Sequence, residues 1–205
     1  MLLYLARHGE TEWNRFGKTQ GIQDTCLSDL GRVQAKRLGE YLKKRDKITA
    51  IYCSDLSRAR ETAEIIGKEL QLNPINEPLL REVSFGVWEG LSTPEIEVKY
   101  PGQLTRWRND LSYAPKGGEN LLAVHSRVTS FLDKLKDTYP VHDDNVLVIS
   151  HSATIKVLIL SLIGIPLNLI THFKIDQTGL NLIRMDGEKN TILHLNNLYH
   201  LESQA

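Results

Sequence analysis

The 205-residue sequence predicts an α/β protein, a three-layer fold in which a mostly parallel sheet carries helices on both faces. Three observations carry that expectation. Short apolar runs alternate with amphipathic helical stretches. Two of those runs hand over abruptly to chemistry: Leu2-Leu3-Tyr4-Leu5-Ala6 leads into Arg7-His8-Gly9, and Asn145-Val146-Leu147-Val148-Ile149-Ser150 leads into His151. No repeat, low-complexity segment or linker breaks the chain, so residues 1–205 read as one domain. An apolar run of this length is too short for a core helix and reads as a buried strand. Ligands of open α/β sheets bind beyond the carboxyl ends of the strands. Two strands that each end in a histidine therefore point to one site built from distant parts of the chain.

The elements follow in order. Residues 11–25 are polar, contain Gly17 and Gly21, and read as a loop with one helical turn. Ser28 is a candidate N-cap for a helix to about Lys44, with Val33, Leu38, Tyr41 and Leu42 near one face and basic residues at its end. Ala50-Ile51-Tyr52-Cys53 is the next strand. Ser54-Asp55 is expected to cap a helix to Leu70 that carries Arg58 in its first turn. Residues 73–78 hold one short extended piece, and the glycine-punctuated stretch 79–90 reads as a loop presenting Glu82. Thr93-Pro94 is expected to cap a short helix, and residues 101–118 read as irregular. A strong amphipathic helix spans 119–139 with Leu121, Val124, Val128, Phe131, Leu132 and Leu135 as its core stripe. The strand ending at His151 leads into a helix over 153–163. Beyond Pro166 three strands are expected, at 170–175, 180–185 and 191–195, with Asp186-Gly187 turning between the last two and an antiparallel edge on the sheet.

Composition narrows the function classes. Lys plus Arg and Asp plus Glu are equal at 25 each, so no net field draws the protein to nucleic acid or an anionic membrane, and any anion site must be local. The longest apolar stretch, 157–165, falls short of the roughly 20 residues that a membrane span needs. The N-terminus lacks a secretory pattern. Cys26 and Cys53 make no disulfide framework and read as reduced thiols, which suits the cytoplasm. There is no His-Glu-x-x-His pattern, and His125, His142, His172, His194 and His200 have no ligand spacing. Neither a metal nor a cofactor is expected. A homodimer is compatible with the sequence.

Arg7, His8, Arg58, Glu82 and His151 fall at strand ends and loops on one edge. Two guanidiniums, with paired donors that match phosphate oxygens, and two imidazoles suit a compact dianion. The helix start at His151, including the amide of Ser152, favours an anion as well. Singly, each has an ordinary structural explanation; Arg58, for instance, could form exposed pairs with Glu61 or Glu64.

The segment Leu5-Ala6-Arg7-His8-Gly9-Glu10-Thr11-Glu12-Trp13-Asn14 resembles the signature of the histidine phosphatase superfamily, the group that includes cofactor-dependent phosphoglycerate mutases. The resemblance continues through Gln20-Gly21, Leu27-Ser28, Gly31, the stretch from Ser54 to Ala63, the stretch from Leu80 to Gly90, Gly117-Gly118-Glu119 and Val148-Ile149-Ser150-His151. It implies a phosphoglycerate mutase-like fold and a phosphohistidine on His8, whose other ring nitrogen a backbone carbonyl would hold. Arg7, Arg58 and His151 would grip the phosphoryl oxygens, and Glu82 would serve as acid and then base. The arginines should push the His8 imidazole toward its neutral form. Asn14, Gln20 and Gly21 match positions that line the substrate. Arg81-Glu82-Val83-Ser84-Phe85-Gly86 is similar to the phosphatase branch, which includes α-ribazole, broad-specificity and metal-independent phosphoserine phosphatases. The implied substrate is a small phosphomonoester. A phosphoglycerate mutase and a non-catalytic phospholigand-binding module are the alternatives. Residues 93–118 match least, and Arg106, Trp107, Arg108 and Tyr113 could either cover the pocket or form a solvated helix face. Thr178 receives no role.

Overall fold

A computed structural model describes residues 1–45, 47–139, 144–186 and 189–202. His142 and Gly187 lie outside the described residues. Six strands form one sheet: β1 (Leu2–Arg7), β2 (Ala50–Cys53), β3 (Ile75–Asn76), β4 (Asn145–Ser150), β5 (Leu180–Arg184) and β6 (Thr191–Asn197), in the order β3-β2-β4-β1-β5-β6. The first four strands of that order are parallel, and β5 and β6 add the antiparallel edge. The helices are α1 (Glu12–Arg15), α2 (Asp29–Arg45), α3 (Ser57–Leu70), α4 (Thr93–Lys99), α5 (Gln103–Asn109), α6 (Leu121–Thr138) and α7 (Ser152–Ile163).

Alternation along the central strands divides two cores between the faces. Leu3, Leu5, Val146 and Val148 point to the face covered by α6 and α7, while Tyr4, Ala6, Leu147 and Ile149 point to α2 and α3. Every residue of the expected α6 stripe is buried. Burying a leucine, valine or phenylalanine of this kind stabilises the fold by about 1.5–3 kcal/mol each. Among the described residues no helix is long and apolar enough to cross a membrane.

Several local expectations are corrected. Val33 is 48% exposed; α2 turns Gly31, Ala35, Leu38, Gly39 and Leu42 inward instead. Small residues carry little weight in a hydrophobicity reading, yet they let α2 lie close to α3: a Cβ at Gly39 would meet the Glu69 side chain. Neither Ser54 nor Asp55 caps α3. Leu56 occupies the cap position, and Asp24, from another loop, accepts hydrogen bonds from the Ser57 amide and hydroxyl, both at 2.7 Å. Ser92, not Thr93, caps α4, in a reciprocal box with Glu95. The stretch expected to be irregular contains α5, and α7 begins at Ser152, one residue early. Residues 170–175 are not a strand. Leu167–Thr171 forms a 3-10 turn, and Ile170 and Ile175 are buried in the same core. Residues five apart on a strand would face opposite sides.

Candidate active site

β1 and β4 are neighbours at the centre of the sheet, with Arg7 opposite Ser150, so the next residues, His8 and His151, leave it side by side. The His8 amide donates to the Ser150 carbonyl at 3.0 Å. The two rings are buried, with centroids 5.2 Å apart. Gly9 then turns the chain under α2. A Cβ here would run into the Gly31 carbonyl. The Gly9 amide donates to Thr62 Oγ1 at 3.0 Å, and that hydroxyl donates to the Arg58 carbonyl at 2.7 Å, tying the turn to α3.

His8 Nδ1 lies 2.7 Å from the Gly9 carbonyl oxygen. A carbonyl only accepts, so Nδ1 carries the proton and Nε2 keeps the lone pair. Burial pushes this imidazole well below its usual 6.5, and Arg58 and then Arg7 push it further. The arginines act as expected, but burial is the larger cause. The ring is neutral at physiological pH.

Arg58 is fully buried and makes no intrahelical pair; Glu61 pairs with Arg32 and Glu64 with Arg60. Its Nη1 donates to the Gln23 carbonyl at 2.8 Å and its Nη2 to the Gly21 carbonyl at 2.7 Å. Burial lowers its pKa to about 10, so it stays a cation at neutral pH. Arg7 Nη1 donates to the Ile175 carbonyl at 2.9 Å. His151 is the N-cap of α7, and its Nε2 contacts Ser54 Oγ at 2.8 Å. Burial, then Arg58, holds this ring neutral too. Three buried polar nitrogens in this cluster have no protein partner: Arg7 Nε, Arg58 Nε and His151 Nδ1. Unpaired buried polar groups are costly unless a ligand satisfies them.

Glu82 sits at the start of α7. Its Oε1 accepts from the Val83 and Thr154 amides at 3.1 and 3.2 Å, and its Oε2 accepts from the Ala153 amide at 3.3 Å. Arg7, His8, Arg58, Glu82 and Ser152 line a single cavity of about 880 Å³, together with Asn14, Gln20 and Gly21; the His151 ring lies against His8 and is not itself among the lining residues. The Asn14 oxygen accepts from the Thr11 amide, and the Gln20 oxygen accepts from the Thr25 hydroxyl, so both carboxamides are oriented locally.

Sequence reasoning missed the residues that hold this set in place. Glu89 accepts from the Ile22 and Phe85 amides through Oε1, both at 3.0 Å, and from Gln23 Nε2 through Oε2 at 2.9 Å. It thereby stitches the loop beneath Arg58 to the loop bearing Glu82. Thr178, at φ 55, gives its amide to the Arg7 and His8 carbonyls at 3.1 and 3.4 Å. A Glu-Gly pair closing a loop and a Thr-Gly turn were the available signals.

A mixed α/β sheet whose two central strands bring His8 and His151 side by side, with Arg7 at the end of β1 and Arg58 from α3 at the same cavity, belongs with the proteins that handle phosphoryl groups. The model of the histidine phosphatase superfamily (branch 1) matches residues 3–198, and the chain belongs to that family. It is 34% identical over 200 residues to phosphoserine phosphatase 1 of Hydrogenobacter thermophilus, covering 97% of this chain and 93% of the relative. It is 34% identical to the adenosylcobalamin/alpha-ribazole phosphatase of Escherichia coli, covering 96% of each. A mycobacterial glucosyl-3-phosphoglycerate phosphatase, solved in complex with VO3, superimposes with a TM-score of 0.88 at 31% identity, covering 95% of this chain and 98% of that one. The relatives include phosphatases acting on small phosphorylated substrates and a phosphoglycerate mutase of Schizosaccharomyces pombe, 33% identical over 169 residues and covering 80% of each chain.

Proposed function

We propose that this protein hydrolyses a small phosphomonoester through a phosphohistidine on His8. The observation that carries the reading is the tautomer of His8: with Nδ1 committed to the Gly9 carbonyl, the lone pair of Nε2 is available in a cluster where Arg7 Nε, Arg58 Nε and His151 Nδ1 have no protein partner. Nε2 attacks phosphorus while the ester P–O bond breaks. Arg7, Arg58 and His151 hold the phosphoryl oxygens as charge develops. The Glu82 carboxylic acid gives its proton to the leaving alkoxide, and the carboxylate then takes a proton from the water that attacks the phosphohistidine. Phosphate leaves and His8 is restored. Asn14, Gln20, Gly21 and the Ser152 amide line the path of the ester. No step calls on a metal. The free thiols Cys26 and Cys53 suit a reducing cytoplasm.

The test is rapid quenching with a ³²P-labelled monoester in the presence of a chelator. A base-stable, acid-labile phosphoenzyme is expected in the wild type and absent in His8→Ala. Full turnover by His8→Ala would overturn the mechanism. Rapid interconversion of 3- and 2-phosphoglycerate with little free phosphate would replace hydrolysis by a mutase reaction.

A further inference from the structure

One short turn grips Arg7 at two points. The guanidinium donates through Nη1 to the Ile175 carbonyl at 2.9 Å, and the Arg7 carbonyl accepts from the Thr178 amide at 3.1 Å, with the His8 carbonyl 3.4 Å from the same amide. The Asp176 end of the turn is fixed by Asn196 of β6, which accepts from the Asp176 amide at 2.8 Å and donates to its carboxylate at 2.9 Å. The Thr178 end is fixed differently. Thr178 is fully buried at φ 55, a conformation that a β-branched residue adopts at a cost and that glycine would adopt freely. What threonine adds there is a hydroxyl, which donates to the Gln177 carbonyl at 2.7 Å and accepts from His200 Nε2 at 2.9 Å. His200 belongs to the 3-10 turn Tyr199–Leu201, which Arg37 of α2 ties down by donating from Nη1 to the Leu201 carbonyl at 3.2 Å. The His200 ring is buried, its centroid 6.1 Å from that of Tyr41, and its Nδ1 has no protein partner. An apolar side chain would fill that space without the cost of an unmet acceptor, so the bond to Thr178 is what explains a histidine here.

We propose that His200 is a positioning residue for phosphoryl binding: through Thr178 it fixes the turn that holds both the backbone and the guanidinium of Arg7. The ring does not touch the ester, because it lines a separate cavity of about 460 Å³ beside α2 and not the one lined by Arg7 and His8. The proposal rests on the assignment of Arg7 to the phosphoryl group and adds a residue outside the site that sets its geometry. Losing one hydrogen bond of this kind changes an equilibrium by about threefold to tenfold, and a turn released at Thr178 passes that loss to the grip on phosphate.

The experiment reads phosphate binding separately from folding. Calorimetry gives Kd for inorganic phosphate, p-nitrophenyl phosphate turnover gives KM and kcat, and circular dichroism gives Tm, with binding and turnover measured well below the melting point of every variant. His200→Phe keeps the ring and removes the donor; Thr178→Val keeps the branched shape and the amide and removes the hydroxyl. Both are expected to weaken phosphate binding and raise KM by about threefold to tenfold, with a smaller change in kcat. Thr178→Ser, which retains the hydroxyl, should bind phosphate as the wild type does. In an Arg7→Met background His200→Phe should add no further loss, because the residue through which it acts is gone. A lower Tm with wild-type Kd and KM in His200→Phe and Thr178→Val would overturn the proposal and leave the histidine a packing residue. The same fold loss with and without Arg7 would overturn it too, as would a loss in Thr178→Ser equal to that in Thr178→Val. If His200→Phe does not fold, the Thr178 pair decides. Failure of the phosphatase reading is distinct: no phosphoenzyme and no phosphate release in the wild type, with the differences in phosphate binding intact.

Discussion

Replacing Arg58 by lysine keeps a positive charge and removes the planar fork. The guanidinium spans two carbonyls, Gln23 at 2.8 Å and Gly21 at 2.7 Å, and still has Nε to offer. A lysine ammonium is a single point on a flexible stem and cannot reach both carbonyls and a phosphoryl oxygen together. At least one buried carbonyl would lose its donor, at a cost of about 1–3 kcal/mol of stability. Losing one aligned donor to the transition state costs about 10²–10³ in kcat. Turnover of p-nitrophenyl phosphate, inhibition by inorganic phosphate and thermal unfolding read the three consequences. Arg58→Lys is expected to lose at least 100-fold in kcat, by the same oxyanion-donor magnitude, to bind phosphate more weakly and to melt earlier. A kcat within about threefold of wild type, against that expected 10² or more, would refute the assignment of this guanidinium to the phosphoryl group.

Two further predictions concern the frame around the site. Asp24→Ala removes the cap that another loop supplies to α3; about 1 kcal/mol should be lost, a fall of about 2–4 °C in Tm for a chain of this size, and an unchanged melt would show that the cap contributes nothing. His200 is buried, and its Nε2 must donate to Thr178 Oγ1 at 2.9 Å because that hydroxyl already donates to the Gln177 carbonyl. Burial, with Arg37, pushes His200 down to about 4. Between about 6.5 and 4 the unfolded chain is protonated here and the folded chain is not, so stability is lost as pH falls through that window, on the order of 2 kcal/mol after allowance for solvent screening. Urea unfolding at pH 7 and 4.5 should show a shallower acid loss in His200→Asn than in wild type, and identical losses would remove His200 from the account.

The central half of the fold was readable in the chain because local and global signals agree there. Short apolar runs became β1, β2 and β4, and the residues after β1 and β4 converge because those strands are neighbours. The stripe of α6 survived intact because every member is large and apolar. Three of the failures share one cause, a partner distant in sequence. The α3 cap comes from Asp24, the inner face of α2 is set by small residues facing α3, and residues 170–175 spend a backbone carbonyl on Arg7 instead of on a ladder. At the site, Arg7, His8 and His151 stood out by position. Glu82, taken singly, was unremarkable beyond its place on a glycine-punctuated loop, since its position over the start of α7 is a product of folding. Thr178 and Glu89 act through backbone groups of other segments, and no spacing in the sequence encodes that.

The crossing of Gly9 and Gly31 has its own consequence. A methyl group on either would strike the other strand of the crossing, the Gly31 carbonyl in one case and the Glu10 carbonyl in the other. The two backbones are thus interlocked at their narrowest point, and neither can be widened alone. Transplanting the first strand and its Arg-His-Gly turn into another scaffold would reproduce the setting of His8 only if a helix beginning with an equally bare backbone came with it.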